Sequence, residues 1–391
     1  MSKINKQVHN VAYNNNIYKG ALYMDYSRID PLISISGEKI KTVEDWETFR
    51  REEIMVLLSN FIYGVRPMEK PADISFRVEK IEENYMSFPL IKKDITISFL
   101  GFSMLFYLFV PKKTYKMKPV PAFLHVLNEN SMRLFDPVNN PDNTFLPLVE
   151  MAERGYACAV MPTLNVCPDW THMPEFKKGL FRAIQPDPSV RDNRSWATIS
   201  GWAYGASRIM DYLETDIDIE HSKVGIAGHS RAGKTALWAA ATDKRFALSI
   251  SNNSGCGGAA YTRGTGEGRE HIKDINISNW FCGNYHNFDD REEMLPCDQH
   301  MLLAAIAPRP LYVKSNENDA WAGPDEELLS CKLASPVYEL YGLKGVVVDE
   351  KVEINKPYHD GIIAYHRAPG DHDLNSNDWK MFMDFADKYL K

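Results

Sequence analysis

The sequence has few cysteines, and their spacing does not match a metal site. Its 391 residues include six cysteines, at positions 158, 167, 256, 282, 297 and 331, and no two of them form a C-x-x-C pair. This spacing argues against a structural zinc site. Six cysteines are also sparse for a disulfide-stabilised fold, so the sequence predicts mostly buried free thiols in a reducing compartment. We expect neither a metal nor a cofactor.

Long apolar runs and clusters of basic residues are absent as well. No apolar segment approaches the roughly 20 residues that a membrane-spanning helix needs. The formal net charge is −7, which argues against a nucleic acid or an anionic membrane as a partner. The first seven residues contain lysines without a following apolar segment, so no secretory signal is visible. We expect a cytoplasmic location for this sequence as it stands, and secretion if a signal has been lost.

The order of the predicted elements indicates an α/β fold. Residues 1 to about 40 are polar and predict an irregular arm. Residues 42–63 have apolar side chains at helical spacing, with Thr42 as the capping residue and Asp45 at the third helical position. Three strands follow, and from Val120 onward strands alternate with helices. This alternation predicts a three-layer α/β/α sandwich with a mainly parallel, doubly wound sheet, whose active site lies at the carboxyl ends of the strands.

We divide the chain into two parts that together form one structural unit. Residues 1–95 contain the arm and the helix that pack on the core, and residues 96–391 contain the main α/β part.

The stretch from Val224 to Gly233 has the features of a nucleophile on a sharp turn. Its sequence is V-G-I-A-G-H-S-R-A-G, and a run of helix-forming residues follows it. Ser230 is flanked by Gly228 and Gly233, and a strand–nucleophile–helix turn needs small residues where backbone passes close to backbone. The pattern departs from G-x-S-x-G, because Ala232 stands at the second glycine position. The alternative is a serine that only caps the helix, which these ten residues do not exclude.

An acid and then a histidine follow Ser230, in the order that the α/β-hydrolase arrangement requires. Asp319 lies in the loop after a predicted strand at 310–314, and His372 lies in the loop after the last predicted strand, 361–367. All three residues thus follow the carboxyl ends of strands. Because a serine nucleophile needs a base, and the base needs an acid to orient it, the order predicts a triad of these three residues.

Other residues of the same types remain alternatives. Glu317 and Asp325 lie close to Asp319 in the sequence and compete for the role of the acid. His125, on the strand that begins at Val120, is expected to be a core histidine with its hydrogen bonds satisfied. His229, beside the nucleophile, is expected to be a packing residue.

Two cations follow the nucleophile directly. Arg231 and Lys234 occupy the first turn of the predicted helix, where the helix dipole makes positive charge unfavourable. Their presence there indicates a role with negative charge that develops during a reaction, although a solvated helix face is the simpler alternative. Trp321, two residues after Asp319, is either a stacking surface for a sugar or a packing residue at the rim.

Four segments together form a more specific pattern. They are Gly228-His-Ser-Arg-Ala-Gly-Lys234, Ser251-Asn-Asn-Ser-Gly-Cys-Gly-Gly-Ala-Ala, Leu295-Pro-Cys-Asp-Gln-His-Met-Leu-Leu-Ala-Ala-Ile-Ala-Pro-Arg-Pro and Asn318-Asp-Ala-Trp-Ala-Gly-Pro324. In these segments the chain resembles the glucuronoyl esterases, carbohydrate esterase family 15, and most closely the bacterial members. The resemblance covers about residues 45 to 391. It implies the α/β-hydrolase fold, with residues 96–391 as the catalytic domain.

The resemblance also implies a reaction and a role for each site residue. Members of the family cleave esters between the carboxyl group of (4-O-methyl-)glucuronate on xylan and lignin alcohols. By resemblance, Ser230 is the nucleophile, His372 the general base and Arg231 a stabiliser of the oxyanion, and the uronate hydroxyls are bound by Lys234, Glu267 and Trp321. Some members take the triad acid from a glutamate in the loop after the strand at 246–251. This chain has Asn253 there, so Asp319 is expected to be the acid.

These features lead to a serine carbohydrate esterase that acts on uronate esters through an acyl-enzyme. The missing export signal favours imported oligosaccharides or small uronate esters as substrates. The main alternative is an acetyl-xylan or broad-specificity acyl esterase on the same triad, in which the sugar supplies the alcohol instead of the acid. The intact Ser, Asp and His argue against a non-catalytic binding protein, and no peptide-anchoring signature supports a serine peptidase. We expect a monomer.

Overall fold

A computed structural model describes residues 29–134, 144–169, 179–185, 187–275 and 279–391. In these ranges the strands are β1 (Ser75–Glu82), β2 (Leu90–Phe99), β3 (Phe102–Pro111), β4 (Val120–Leu127), β5 (Ala157–Pro162), β6 (Ile219–His229), β7 (Leu248–Asn252), β8 (Leu311–Asn316) and β9 (Ile363–Ala368). The α-helices are α1 (Val43–Asp45), α2 (Arg51–Leu58), α3 (Glu129–Leu134), α4 (Leu148–Glu153), α5 (Gly179–Ile184), α6 (Thr198–Leu213), α7 (Arg231–Thr242), α8 (Ile272–Ile275), α9 (Gln299–Ala304), α10 (Pro324–Leu340) and α11 (Ser376–Leu390). No helix in this part of the chain is long and apolar enough to cross a membrane. Most of the predicted N-terminal arm, residues 1–28, lies outside the described residues.

The nine strands form one sheet in the order β1-β2-β3-β5-β4-β6-β7-β8-β9. The pairings β1–β2, β2–β3 and β3–β5 are antiparallel. From β5 across to β9 all neighbouring strands run parallel. The predicted α/β class with a mainly parallel sheet is therefore confirmed, and the antiparallel strands occupy one edge.

Helices cover both faces of the sheet, and β4 shows how the sequence directs this. Its side chains alternate between two cores, as successive residues of a strand do. Leu124 and Val126 belong to the core that contains α6 and α7. Phe123 and Leu127 belong to the core that contains α4 and α11, which includes Trp379. Because both faces of the strand are buried, β4 has an almost continuous apolar sequence. All six cysteines are buried free thiols, as predicted.

The helix predicted over residues 42–63 is present as four consecutive segments. The helices α1 and α2 alternate with π-helical turns at Trp46–Arg50 and Ser59–Tyr63. The Thr42 hydroxyl accepts the Asp45 N–H at 3.1 Å, and the Asp45 carboxylate accepts the Thr42 N–H at 3.2 Å, which is a capping box. At the other end, the Tyr63 ring stacks on Trp238 of α7 with ring centroids 4.2 Å apart. The segment thus packs against the helix that follows the predicted nucleophile.

The boundary that we expected at residue 95 falls inside β2. This strand pairs with β1 on one side and along its whole length with β3 on the other. Ile95 itself is fully buried in the core. A division at this point passes through a strand that is hydrogen-bonded to a neighbour on each side.

The candidate site lies at the carboxyl ends of four adjacent strands. The strands β6, β7, β8 and β9 are neighbours and run parallel, so their carboxyl ends lie at one edge of the sheet. The residues that follow these ends include Ser230, Asn253, Asp319 and His372. The topology therefore brings together residues that are far apart in the sequence.

Candidate active site

Ser230 lies on a sharp turn between β6 and α7. Its backbone has φ 59° and ψ −132°, which is unusual for a residue other than glycine. Its N–H donates to the Asn252 carbonyl oxygen at 2.8 Å. A side chain at position 228 would bring a Cβ within 2.1 Å of the Ala232 carbonyl oxygen, and a Cβ at position 233 would lie 3.0 Å from the Ser254 Cβ. The turn therefore requires glycine at 228 and strongly favours it at 233, whereas position 232 accommodates alanine, which explains the departure from G-x-S-x-G.

Asp319 and His372 are hydrogen-bonded to each other at the same edge. The Asp319 Oδ2 atom lies 2.6 Å from His372 Nδ1. Asp319 also caps the 3₁₀ turn Ala320–Ala322, and its Oδ1 accepts the Ala322 N–H at 3.2 Å. The Asn253 side-chain amide donates to Asp319 Oδ2 at 2.6 Å. Burial acts to raise the pKa of Asp319, but the hydrogen bonds from His372, Ala322 and Asn253 outweigh it and the pKa is lowered, so the carboxylate form is favoured.

The two rival acids lie elsewhere. Glu317 is exposed. The Asp325 carboxylate is exposed and pairs with Arg367 at 2.6 Å. Of the three acids considered, Asp319 is thus the one in contact with His372.

His229 and His125, the two other histidines considered, are buried. His229 packs against His372 with ring centroids 4.4 Å apart, as the packing role predicts, and burial together with the nearby His372 lowers its pKa well below the usual range. His125 is also fully buried, and burial lowers its pKa to about 3. Neither of its ring nitrogens has a hydrogen-bond partner in the part of the chain described. Its place in the core is confirmed, and the expectation that its hydrogen bonds are satisfied stays a prediction.

Both cations of the first turn of α7 are buried and paired with acids. The Arg231 Nε donates to Asp169 Oδ2 at 2.7 Å, and Nη2 lies 2.6 Å from the same oxygen. The Lys234 Nζ donates to Glu270 Oε2 at 2.7 Å and to the Cys256 carbonyl oxygen. The alternative of a solvated helix face is therefore excluded, because their side chains are only 7% and 3% exposed.

Glu270, and not Glu267, lies at the site. Glu267 is exposed on a loop that turns at Gly268, which has φ 76°. Glu270 is 7% exposed, and its Oε1 accepts the Trp321 indole N–H at 3.1 Å. The expected placement of Glu267 is therefore corrected. Two glutamates three residues apart in one loop could not be separated by sequence reasoning, and the turn at Gly268 decides between them.

Asp169 and Trp280 were missed by the sequence reasoning. Asp169 lies in an irregular segment without a motif, and its side chain is fully buried behind Arg231. The Trp280 indole N–H donates to Asp169 Oδ1 at 3.1 Å, and its ring lies 5.6 Å from the Arg231 guanidinium. No pattern in the sequence connects position 169 to position 231, since the contact depends on the tertiary fold alone.

The side chains described above surround one pocket of about 390 Å³. Its lining consists of Ser230, Arg231, Lys234, Asn253, Ser254, Gly255, Glu270, Trp280, Asp319, Trp321, Ala322 and His372. Trp321 stands at the rim with half of its surface exposed. Within the ranges given above, no group of three or more His, Cys, Asp or Glu side chains is arranged to hold a metal ion. The pocket thus combines a hydroxyl on a strained turn, an imidazole with its acid, two cations and an aromatic rim.

Known proteins resemble this chain in sequence and in structure. Residues 190–342 match the family model for glucuronyl esterase of fungi. Carbohydrate esterase MZ0003, of an unknown prokaryotic organism, is 33% identical over 95% of this chain and 92% of its own length. The structure of a glucuronoyl esterase from Solibacter usitatus is 31% identical, with a TM-score of 0.83 over 93% of this chain and 97% of that one. A promiscuous CE15 esterase from a marine bacterial metagenome is 32% identical, with a TM-score of 0.80 over 95% of this chain and 98% of that one.

The similarity to these relatives spans nearly the whole length of both chains. It is accompanied by a pocket that contains the nucleophile turn, the imidazole–carboxylate pair and the two cations. The protein therefore belongs to carbohydrate esterase family 15, the glucuronoyl esterases, and is a carboxylic ester hydrolase with the α/β-hydrolase fold.

Proposed function

We propose that this protein hydrolyses esters of (4-O-methyl-)D-glucuronic acid through an acyl-enzyme at Ser230. The observation that carries the proposal is the cluster of Lys234, Glu270 and Trp321 in the same pocket as the nucleophile. Charged and indole N–H groups in a fixed arrangement suit a ligand with several hydroxyl groups. A wholly apolar acyl group would leave these polar groups without a ligand partner.

The reaction begins with acyl transfer to the serine. Ser230 Oγ attacks the ester carbonyl carbon, and its proton passes to Nε2 of His372, whose Nδ1–H is held by Asp319. The carbonyl oxygen becomes an oxyanion, which the Arg231 guanidinium and the backbone N–H of Arg231 stabilise. The intermediate collapses, and the leaving alcohol takes the proton from His372.

Hydrolysis of the acyl-enzyme completes the cycle. Water attacks the acyl carbon while His372 accepts one of its protons, and a second tetrahedral intermediate forms. When this intermediate collapses, His372 returns the proton to Ser230 Oγ and the uronic acid leaves. Free uronic acid loses its proton at neutral pH, so a neutral ester enters the pocket and an anion leaves it.

The substrates that test the proposal differ in whether a sugar supplies the acid of the ester, the alcohol, or neither part. We expect kcat/KM for benzyl D-glucuronate to exceed that for 4-nitrophenyl acetate by about tenfold or more, because the sugar contacts of the pocket are used only by the first substrate. Release of acetate from acetylated xylan is measured in parallel. Fast release of acetate together with no hydrolysis of benzyl glucuronate would contradict the proposal and favour the acetyl esterase alternative.

A further inference from the structure

A buried ion pair between Arg231 and Asp169 lies beside the nucleophile. Asp169 does not line the pocket, yet its carboxylate binds both Nε and Nη2 of Arg231, which does. The Asp169 side chain is fully buried and the Arg231 side chain is 7% exposed. Ion pairs that are this well removed from water are only weakly screened by solvent and salt, so the charge of Asp169 reaches any ligand bound next to Arg231.

Trp280 fixes the carboxylate from the other side. Its indole N–H donates to Asp169 Oδ1 at 3.1 Å, so both carboxylate oxygens have a donor. The indole ring lies 5.6 Å from Arg231 and 5.8 Å from Lys234, and Trp280 itself lines the pocket. Asp169 is thus separated from the ligand by the guanidinium and the indole, and it acts on the ligand through Arg231.

Each charged group of the described pocket lining has a partner of opposite charge or, for Asp319, the catalytic imidazole. Arg231 pairs with Asp169, and Lys234 pairs with Glu270 at 2.7 Å. Asp319 is held against His372 at 2.6 Å. The two cations therefore bring no net positive charge to the place where the acyl group binds.

This balance matters because the proposed reaction turns a neutral ester into an anion. An unpaired arginine beside Ser230 binds a carboxylate more strongly than an ester, since a charged acceptor makes the stronger hydrogen bond. Binding energy gained by the product does not accelerate the chemical step and slows its release. We propose that Asp169 is a specificity-determining residue, which neutralises Arg231 so that the pocket does not prefer the uronate product over the neutral ester. The inference rests on the proposed function.

Equilibrium binding separates charge from shape when two isosteric ligands are compared. D-Glucuronate carries the product charge, and D-glucuronamide is its neutral counterpart with the same hydroxyls. Calorimetric titration gives the dissociation constant of each ligand for the wild-type chain. We expect the two constants to agree within about threefold, because the paired cations present no net charge to the carboxylate.

Asp169→Asn keeps the shape of the side chain and removes its charge. We expect the preference for glucuronate over glucuronamide to rise by about tenfold or more, because a unit charge within about 8 Å acts through an effective dielectric constant near 20. Asp169→Glu, which keeps the charge, should retain the wild-type ratio. Asp211→Asn is the matched control, since Asp211 is also a buried aspartate paired with arginines, Arg208 and Arg245, but does not line the pocket.

The outcomes are distinct. An unchanged ratio in a folded Asp169→Asn variant overturns the inference, and so does a wild-type chain that already binds glucuronate more than about threefold tighter than glucuronamide. The wild-type ratio decides the matter even if Asp169→Asn fails to fold. If the wild-type chain binds neither ligand, the proposed recognition of uronates is wrong, and that result differs from binding both ligands with the wrong ratio.

Discussion

At the scale of single residues, the Asp319 carboxylate is oriented by donors from three segments of the chain. They are the His372 ring at 2.6 Å, the Asn253 amide at 2.6 Å and the Ala322 N–H at 3.2 Å. Asn253 has φ 46°, so the backbone of this loop adopts a left-handed conformation to present the amide. The asparagine at this position, where some relatives are expected to carry the acid, thus supports an acid supplied by a different loop.

Replacing Asp319 by asparagine tests its role as the acid. Asp319→Asn is expected to lower kcat for benzyl glucuronate by up to about 10⁴-fold with little change in KM, because an amide stabilises the wrong tautomer of His372. Asp325→Asn is the control, since Asp325 makes an exposed pair with Arg367, and it should change kcat by less than about twofold. A larger loss in Asp325→Asn or in Glu317→Gln would assign the acid elsewhere.

The two neighbouring glutamates provide a matched pair for the sugar contacts. Glu270→Gln is expected to raise KM for benzyl glucuronate by about tenfold, because it weakens a charged hydrogen-bond network with Lys234 and Trp321. The same change should leave kcat/KM for 4-nitrophenyl acetate unchanged. Glu267→Gln changes an exposed residue of the same loop and should affect neither substrate. Equal losses on both substrates in Glu270→Gln would mean that Glu270 is structural.

At the scale of elements, the turn between β6 and α7 is set by backbone contacts rather than by side chains. A Cβ atom added at position 228 would lie only 2.1 Å from the Ala232 carbonyl oxygen. Since both groups belong to the backbone of one turn, neither is free to move aside. The strained φ of Ser230 is maintained by this packing and by the hydrogen bond to Asn252.

A pair of glycine and alanine exchanges tests this account of the turn. Gly228→Ala is expected to lower the free energy of unfolding by about 3 kcal/mol, because overpacking against backbone has no easy relaxation. The reverse exchange, Ala232→Gly, should cost about 1 kcal/mol through helix propensity alone. Urea denaturation of the two variants measures the difference. Similar losses in both would contradict a steric requirement at position 228.

The residues that follow strands could be predicted from the sequence, whereas side-chain contacts between distant residues could not. Ser230, Asp319 and His372 were predicted because each follows a strand with a clear apolar pattern, and parallel strands bring such loops to one edge. The Asp169–Arg231 and Asn253–Asp319 contacts join residues 62 and 66 positions apart without any shared motif. That residue 95 lies within β2 was not predicted, because an antiparallel strand looks the same in sequence whether or not a domain ends there. Burial of both cations was not expected either, since local sequence does not reveal which acids lie across the pocket.

At the scale of the whole molecule, Glu327 of α10 joins the helix layer to the loop that follows β7. Its Oε1 accepts the N–H groups of Ser254 and Gly255 at 2.7 and 3.1 Å, and its Oε2 accepts the Ser315 hydroxyl at 2.6 Å. Complete burial raises the pKa of Glu327 to about 7, against an ordinary value of 4.5, although these hydrogen bonds oppose the shift. A proton held by the folded chain is therefore released on unfolding at intermediate pH.

This shift predicts how stability depends on pH. The unfolded chain binds fewer protons than the folded chain between the ordinary pKa and the raised one, so Glu327 lowers the free energy of unfolding as pH rises through that window. Glu327→Gln removes the effect while retaining an acceptor for the two N–H groups. Relative to wild type, its free energy of unfolding should rise by about 2 kcal/mol between about pH 5 and about pH 7.5.

Chemical denaturation at several pH values checks this prediction. Glu317→Gln makes the same exchange of a carboxylate for an amide at an exposed site. It is the control, and its stability profile should run parallel to that of wild type. Parallel stability profiles for Glu327→Gln and wild type would show that Glu327 is not protonated in the folded chain over this range.

The central claim is that Ser230 attacks a uronate ester, and the turnover of Ser230→Ala on benzyl D-glucuronate tests it most directly. We predict that kcat falls by about 10⁴-fold or more, because the acyl-enzyme no longer forms and the remaining groups catalyse only weakly. The variant should keep the wild-type circular dichroism spectrum and bind glucuronamide as the wild-type chain does. Near-native turnover by a folded Ser230→Ala variant would contradict the account.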